Sequence, residues 1–227
     1  MEVFVGTSGW LYDWNERQSL DWYVGNSGLN AIELNASFYR FPFPNQVKAW
    51  SEKGSSLRWV IKVNRLVTHI HMLNYKAGET YEKFIALFKP LDKIVDFYLL
   101  QMPPNFSAKM SGRVEDFSKS FNGKKMAFEF RNRSWYEYNF DRLNIDGAVV
   151  SPDSPDVQGA VWMKNGTIYM RFHGRGSWYS YKYSDRELDE TAKKCAALSP
   201  RRLYAFFNND HNMLRNARRF QSAAMGR

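Results

Sequence analysis

The feature that most constrains this chain is a two-residue alternation that recurs in eight short segments, residues 3–7, 31–35, 59–64, 97–101, 126–131, 147–151, 168–173 and 203–208. Each has strand length and is rich in Val, Ile, Phe or Tyr, as a pleated and half-buried surface requires. Successive side chains of a strand point to opposite faces, so residues two apart share a face. Ile32 and Leu34 therefore oppose Glu33 and Asn35, and Ile61 and Val63 oppose Lys62 and Asn64. In the same way Phe128 and Phe130 oppose Glu129 and Arg131, and Met170 and Phe172 oppose Arg171 and His173. Gln101 closes the fourth segment, and Asn208 ends the eighth beside Phe207.

Helical patterns separate most of these segments. Tyr81, Phe84, Ile85, Phe88 and Leu91 repeat at helical spacing. Ser184 and Glu187 form a capping box that opens a helix over 185–198. Met213, Ala217, Phe220 and Ala224 share one face of a last helix, with Arg215, Arg218 and Arg219 opposite. Weaker patterns predict helices over 45–53 and 112–121, whereas Pro152, Pro155 and Gly159 mark a long loop after Ser151. Alternation of strand and helix implies parallel strands with helices outside, and eight such units close into a barrel. The expected fold is thus α/β, a single (β/α)8 TIM barrel over residues 1–227 with one irregular or missing helix. An open doubly wound sheet is the competing topology.

Outer helices need an apolar surface to pack on, so the polar side of each strand faces the interior. The polar residues come at the carboxyl ends, and they converge on the mouth where barrel enzymes place their chemistry. Glu33, Lys62, Glu129 and His173 are the candidate catalytic side chains. Asn35, Asn64, Gln101, Arg131, Arg171 and Asn208 are the candidate substrate-binding ones. Charges removed from water must be paired or hold a ligand. Two acids and two bases can neutralise one another as a plug, but such a plug adds little stability over apolar packing. The histidine and amides add hydrogen-bonding capacity that a plug does not need.

Aromatic residues follow several strands, with Trp10, Tyr12 and Trp14 after the first and Trp135 and Tyr136 after the fifth. Phe38 and Tyr39 follow the second strand and Trp178 and Tyr179 the seventh. Of these, Trp10, Tyr12 and Trp135 are candidate contacts for a substrate ring, against the alternative that the rings pack on each other. Gly6-Thr7-Ser8-Gly9 lacks P-loop spacing and is expected to form a tight turn. His69 and His71 form a weak metal pattern, and no metal ligands are assigned. A set of Glu33, Glu129, His173 and Asp210 lacks the dense ligand supply of metal-dependent barrels.

The chain of 227 residues is 44% hydrophobic and 24% charged, which excludes a disordered segment. Its net charge of +9 favours polyanionic partners, either phosphorylated small molecules or nucleic acid, although no dense basic block is present. The single cysteine, Cys195, leaves no internal disulfide and fits a reducing compartment. The amino terminus lacks a signal-peptide pattern and no segment reaches spanning length, so the expected location is cytoplasmic with no membrane partner. Neither the cofactor nor the oligomeric state is fixed by these patterns.

Read together, several segments resemble a known family. They are Gly6-Thr7-Ser8-Gly9-Trp10 with Tyr12 and Trp14, and Glu33 and Asn35 leading into Phe38-Tyr39. They continue with Lys62, Asn64-Arg65 and Thr68-His69, then Gln101 with Pro103-Pro104 and Phe106, and Glu129 and Arg131 with Ser134-Trp135. Arg171 with His173-Gly174, and Phe207-Asn208-Asn209 with Asn216-Ala217, complete the match in order along nearly the whole chain. The chain is similar to the YecE-like family, domain of unknown function 72, and the resemblance implies a TIM-type barrel but no activity. The chain departs from the family pattern in a short region after the first strand and in Met213-Leu214, where small residues are commoner. Three functions remain open. One is an enzyme acting on a phosphorylated or nucleic-acid substrate, and another is a non-catalytic nucleic-acid binder. The third is a metal-dependent hydrolase resembling abasic-site endonuclease or sugar isomerase barrels, an analogy of fold alone.

Overall fold

The structure is a computed structural model and describes residues 1–226. All eight alternating segments form strands. In chain order the strands are β1 (Glu2–Thr7), β2 (Ala31–Leu34), β3 (Arg58–Lys62), β4 (Val95–Gln101) and β5 (Met126–Glu129). They continue as β6 (Ala148–Asp153), a short β7 (Met163–Lys164), β8 (Thr167–Phe172) and β9 (Arg202–Phe207). The hydrogen-bonded order is β1-β9-β8-β6-β5-β4-β3-β2, parallel throughout, with β7 antiparallel on β8. This is a nearly closed TIM-type barrel.

The seam between β1 and β2 carries no main-chain ladder. Side chains bridge it instead. Asn30 accepts from the Val5 amide and donates to the Val3 carbonyl, both at 2.8 Å. The Tyr23 hydroxyl donates to the Ala31 carbonyl at 2.8 Å. A Cβ at Gly6 would lie 2.3 Å from that same carbonyl oxygen, so only glycine lets the two strands approach this closely.

Helices α1 (Leu20–Asn26), α2 (Pro44–Lys53), α3 (Tyr75–Leu87), α4 (Ser111–Ser120), α5 (Asp185–Ala197) and α6 (Met213–Ala224) line the outside. The Ser184–Glu187 capping box opens α5 as expected, with Ser184 N–H donating to the Glu187 carboxylate at 2.8 Å. Met213, Ala217 and Phe220 of α6 are buried. The connection from β5 to β6 holds two short 3-10 turns, Arg133–Trp135 and Phe140–Arg142, in place of a helix. The expected long loop after Ser151 is partly strand. β6 runs on to Asp153, and β7 turns back onto β8 at Asn165-Gly166, where both residues have positive φ. That dipeptide is the sequence signature of a two-residue hairpin.

The two faces of the strands build two cores. Ile32, Leu34, Ile61, Phe128, Met170 and Phe172 point outward into the layer packed by the helices, together with Val47, Phe84, Leu188 and Phe220. On the inward face the ionic side chains lie toward the carboxyl ends, and the rest is apolar. Ala31, Val60, Phe97, Leu99, Ala127, Val150, Tyr169, Tyr204 and Phe206 fill the barrel interior beneath and beside the charged layer. Water cannot reach that depth, so apolar burial stabilises it. Among the described residues no helix is long and apolar enough to cross a membrane.

Candidate functional site at the barrel mouth

One step further along the same inward face, apolar side chains give way to ionic ones. Ala31 is followed two residues later by Glu33, Val60 by Lys62, Ala127 by Glu129 and Tyr169 by Arg171. Glu33, Glu129, Arg171 and His173 are completely buried. The strands bring them together as the alternation requires.

Arg171 is the hub. Its Nε and Nη2 donate to the two oxygens of Glu33 at 2.9 and 2.6 Å, a bidentate pair across the barrel, while Nη1 donates to Glu129. Glu33 also accepts from the hydroxyls of Ser8 at 2.7 Å and Tyr169 at 2.8 Å, and from the Asn35 amide at 3.2 Å. Glu129 forms an ion pair with Arg131 Nη2 at 2.5 Å. The chain Glu33–Arg171–Glu129–Arg131 is therefore neutral within itself. Burial alone would raise the Glu129 pKa, but Arg131 and Arg171 overcome it and hold the carboxyl well below its usual range. Burial likewise opposes the Arg171 charge, and the two carboxylates more than offset it.

His173 lies above Glu129. Its Nε2 is 3.3 Å from a Glu129 oxygen and 3.0 Å from Arg131 Nη2, and its Nδ1 is 3.3 Å from the Asn208 amide. Burial first, and the Arg131 charge second, lower its pKa to about 3. The imidazole is neutral and held on both nitrogens.

Lys62 is different. Among the described residues its ammonium has no carboxylate within ion-pair distance, and it rests 4.4 Å from the centre of the Phe38 ring. Burial, with the Arg171 charge next, lowers its pKa to about 7. Arg131 stacks 4.5 Å from the Trp178 ring, and its buried Nε has no partner among the described residues. Gln101 ends β4 beside Glu129, half-buried.

Beside the charged layer, between the turn after β1 and α2, lies a pocket of about 300 Å³. Trp10, Trp50 and Pro42 form its apolar wall, and Ser8, Tyr12 and Asn35 form the side toward the mouth. The Asn35 Oδ1 is buried without a partner among the described residues.

Three expected substrate contacts lie elsewhere or serve structure. Trp135 is fully buried and stacks 3.7 Å from Phe130, so its ring is not offered to the mouth. Trp10 is also buried, edge-on to Trp50 and Trp59, and meets only the side pocket. Asn64 lies beyond the end of β3, where its amide donates to the Ser37 carbonyl and accepts from the Leu66 amide. Sequence reasoning missed Ser8 and Tyr169, although counting back by two from Arg171 reaches Tyr169. The turn at Gly6-Thr7-Ser8-Gly9 forms as expected, with Thr7 Oγ1 donating to the Gly9 carbonyl at 2.7 Å. His69 packs edge-on against Phe38, and no group of three or more potential metal ligands is assembled among the described residues.

Fold and mouth together define a TIM-type barrel with a self-neutralised ionic layer at its carboxyl end. The chain belongs to the family described as protein of unknown function DUF72, whose model matches residues 4–226. A DUF72 family protein from Thermotoga maritima MSB8 is 27% identical, with a TM-score of 0.80 and 98% of each chain covered. Another from Enterococcus faecalis V583 is 19% identical, with a TM-score of 0.82, covering 98% of this chain and 95% of that one. The UPF0759 protein YunF of Bacillus subtilis (strain 168) is 24% identical over 252 aligned positions, which cover 92% of this chain and 89% of YunF.

Proposed function

We propose that the barrel is an enzyme for a small phosphorylated substrate, with Arg131 at the anionic end and Lys62 at the reacting end. One observation carries this reading. Once the buried ion pairs are matched, Lys62 is unpaired and Arg131 keeps an unsatisfied Nε. An entering anion would complete both. Glu33 and Glu129 are poor general bases, since the first accepts five hydrogen bonds and the second is held ionised by two guanidiniums. Neutral His173 orients Glu129 and Arg131. Lys62 is the mouth side chain whose protonation changes near neutrality, as an acid–base group requires. The side pocket would receive the uncharged part of the substrate.

Two of the three arginines on the outer face of α6 are engaged within the chain rather than left for a polyanion. Arg218 donates to the carbonyls of Asn26 and Ser27 at the end of α1, and Arg219 pairs with Asp189. Both are spent on packing. Calorimetric titration with inorganic phosphate and phenyl phosphate tests the proposal. Wild-type protein should bind both, and Arg131→Met should weaken binding at least about tenfold, or about 1.4 kcal/mol. Equal binding by the variant, or none by the wild type, would refute it.

A further inference from the structure

Two buried carboxylates lie near Lys62, yet neither reaches it. Arg171 chelates both, taking Glu33 with two nitrogens and Glu129 with the third. The groups facing the lysine are thus two guanidiniums, Arg171 and Arg131, and two carboxylates already neutralised by them, with His69 and Arg65 on the following turn. Beneath the amine is the Phe38 face, with His69 edge-on to the same ring at 5.0 Å. A lysine that is desolvated and set beside other cations, without a counter-ion, favours its neutral and nucleophilic form.

From this geometry we propose that Lys62 is a covalent catalytic residue that forms an imine with the carbonyl carbon of a phosphorylated aldehyde or ketone. This rests on the phosphate reading above and extends it. The Nζ lone pair attacks the carbonyl carbon, and the carbonyl oxygen takes up the proton released by nitrogen, giving a carbinolamine. That hydroxyl takes a second proton from solvent and leaves as water. The nitrogen lone pair closes the C=N bond and leaves a protonated imine. No electron is gained or lost overall. Arg131 holds the phosphate while this occurs, and Arg171 occupies both carboxylates, so neither is free to hold Lys62 as an ammonium ion pair. The lowered Lys62 pKa agrees with this role.

Reductive trapping tests the idea. The full chain is incubated at pH 7 with glyceraldehyde 3-phosphate and cyanoborohydride, then analysed by intact mass and peptide mapping. One adduct per chain is expected, located at Lys62 and suppressed by excess inorganic phosphate. Its rate should rise as pH passes through about 7 and then level off, whereas exposed lysines continue to gain reactivity toward about pH 10. Lys62→Met and Lys62→Arg should abolish the adduct, and the wild-type mapping stands even if a variant fails to fold. Unphosphorylated glyceraldehyde should label at least about tenfold more slowly, about 1.4 kcal/mol. Labelling spread over exposed lysines with Lys62 untouched would overturn the imine proposal and leave phosphate binding intact. Selective labelling of Lys62 by both aldehydes at equal rates, without phosphate protection, would support the amine chemistry and overturn the phosphate reading instead.

Discussion

The two halves of the barrel interior are lined by the same faces of the same strands, yet they are held together by opposite physics. In the amino half, Ala31, Phe97 and Tyr204 exclude water and contribute by apolar burial, and one polar edge is satisfied where Tyr204 donates to Asp96 at 2.9 Å. In the carboxyl half, Glu33, Arg171 and Glu129 are as deeply buried but begin with a desolvation cost that only mutual pairing offsets. The lower half should accept other apolar fillings of similar volume. The upper half should accept fewer changes, because each charge depends on particular neighbours. A barrel that needed only stability could repeat the lower solution, and this contrast is what supports the functional role proposed for the ionic layer.

The contrast is broken most severely by Arg171→Met. This change strands two buried carboxylates and should cost about 3–5 kcal/mol in urea unfolding. A smaller loss at Arg171 than at a single core truncation would mean that the ionic layer is hydrated. Leu99→Ala, in the apolar part of the interior, should cost about 3 kcal/mol through a cavity, while Leu99→Met should stay under about 1.5 kcal/mol. Similar costs for the two substitutions would show that the apolar interior does not depend on volume.

Lys62 sharpens the comparison because it is the charged-layer residue without an ion-pair partner among the described residues. Its folded pKa of about 7 lies below the ordinary 10.5, so between these values the unfolded chain binds more protons. Stability should accordingly rise with pH across that window. Each unit of the shift is equivalent to about 1.4 kcal/mol, and solvent at the mouth reduces the realised effect. Lys62→Met should remove this slope and leave the protein no less stable at pH 6, as unfolding curves at several pH values would reveal. Outside the barrel, Arg219→Ala loses a half-exposed pair with Asp189 and should shift stability by less than about 1 kcal/mol. A larger loss there would erase the distinction between interior and surface charge.

Most of the barrel was legible from period-two alternation, since a strand's facing depends only on neighbours one and two residues away. The set of inward charges was legible for the same reason. Trp135 was not, because a ring in a loop can turn either to the mouth or to the outer core, and the partners that capture it, Phe106 and Phe130, lie on different elements. Asn64 was misplaced because β3 ends at Lys62, two residues before the alternation itself fades. The hairpin at Asn165-Gly166 carried a readable signal that the nearby prolines obscured.

By itself the amino-acid sequence determined the strands, their inward faces and the chemical types gathered at one end. Only the tertiary structure decided which charges neutralise each other, because Glu33 and Arg171 lie 138 residues apart and meet across the barrel when it closes. It also decided that Lys62 is left unpaired. Coulomb attraction depends on distance in space, and local alternation specifies a direction but not the neighbour waiting there.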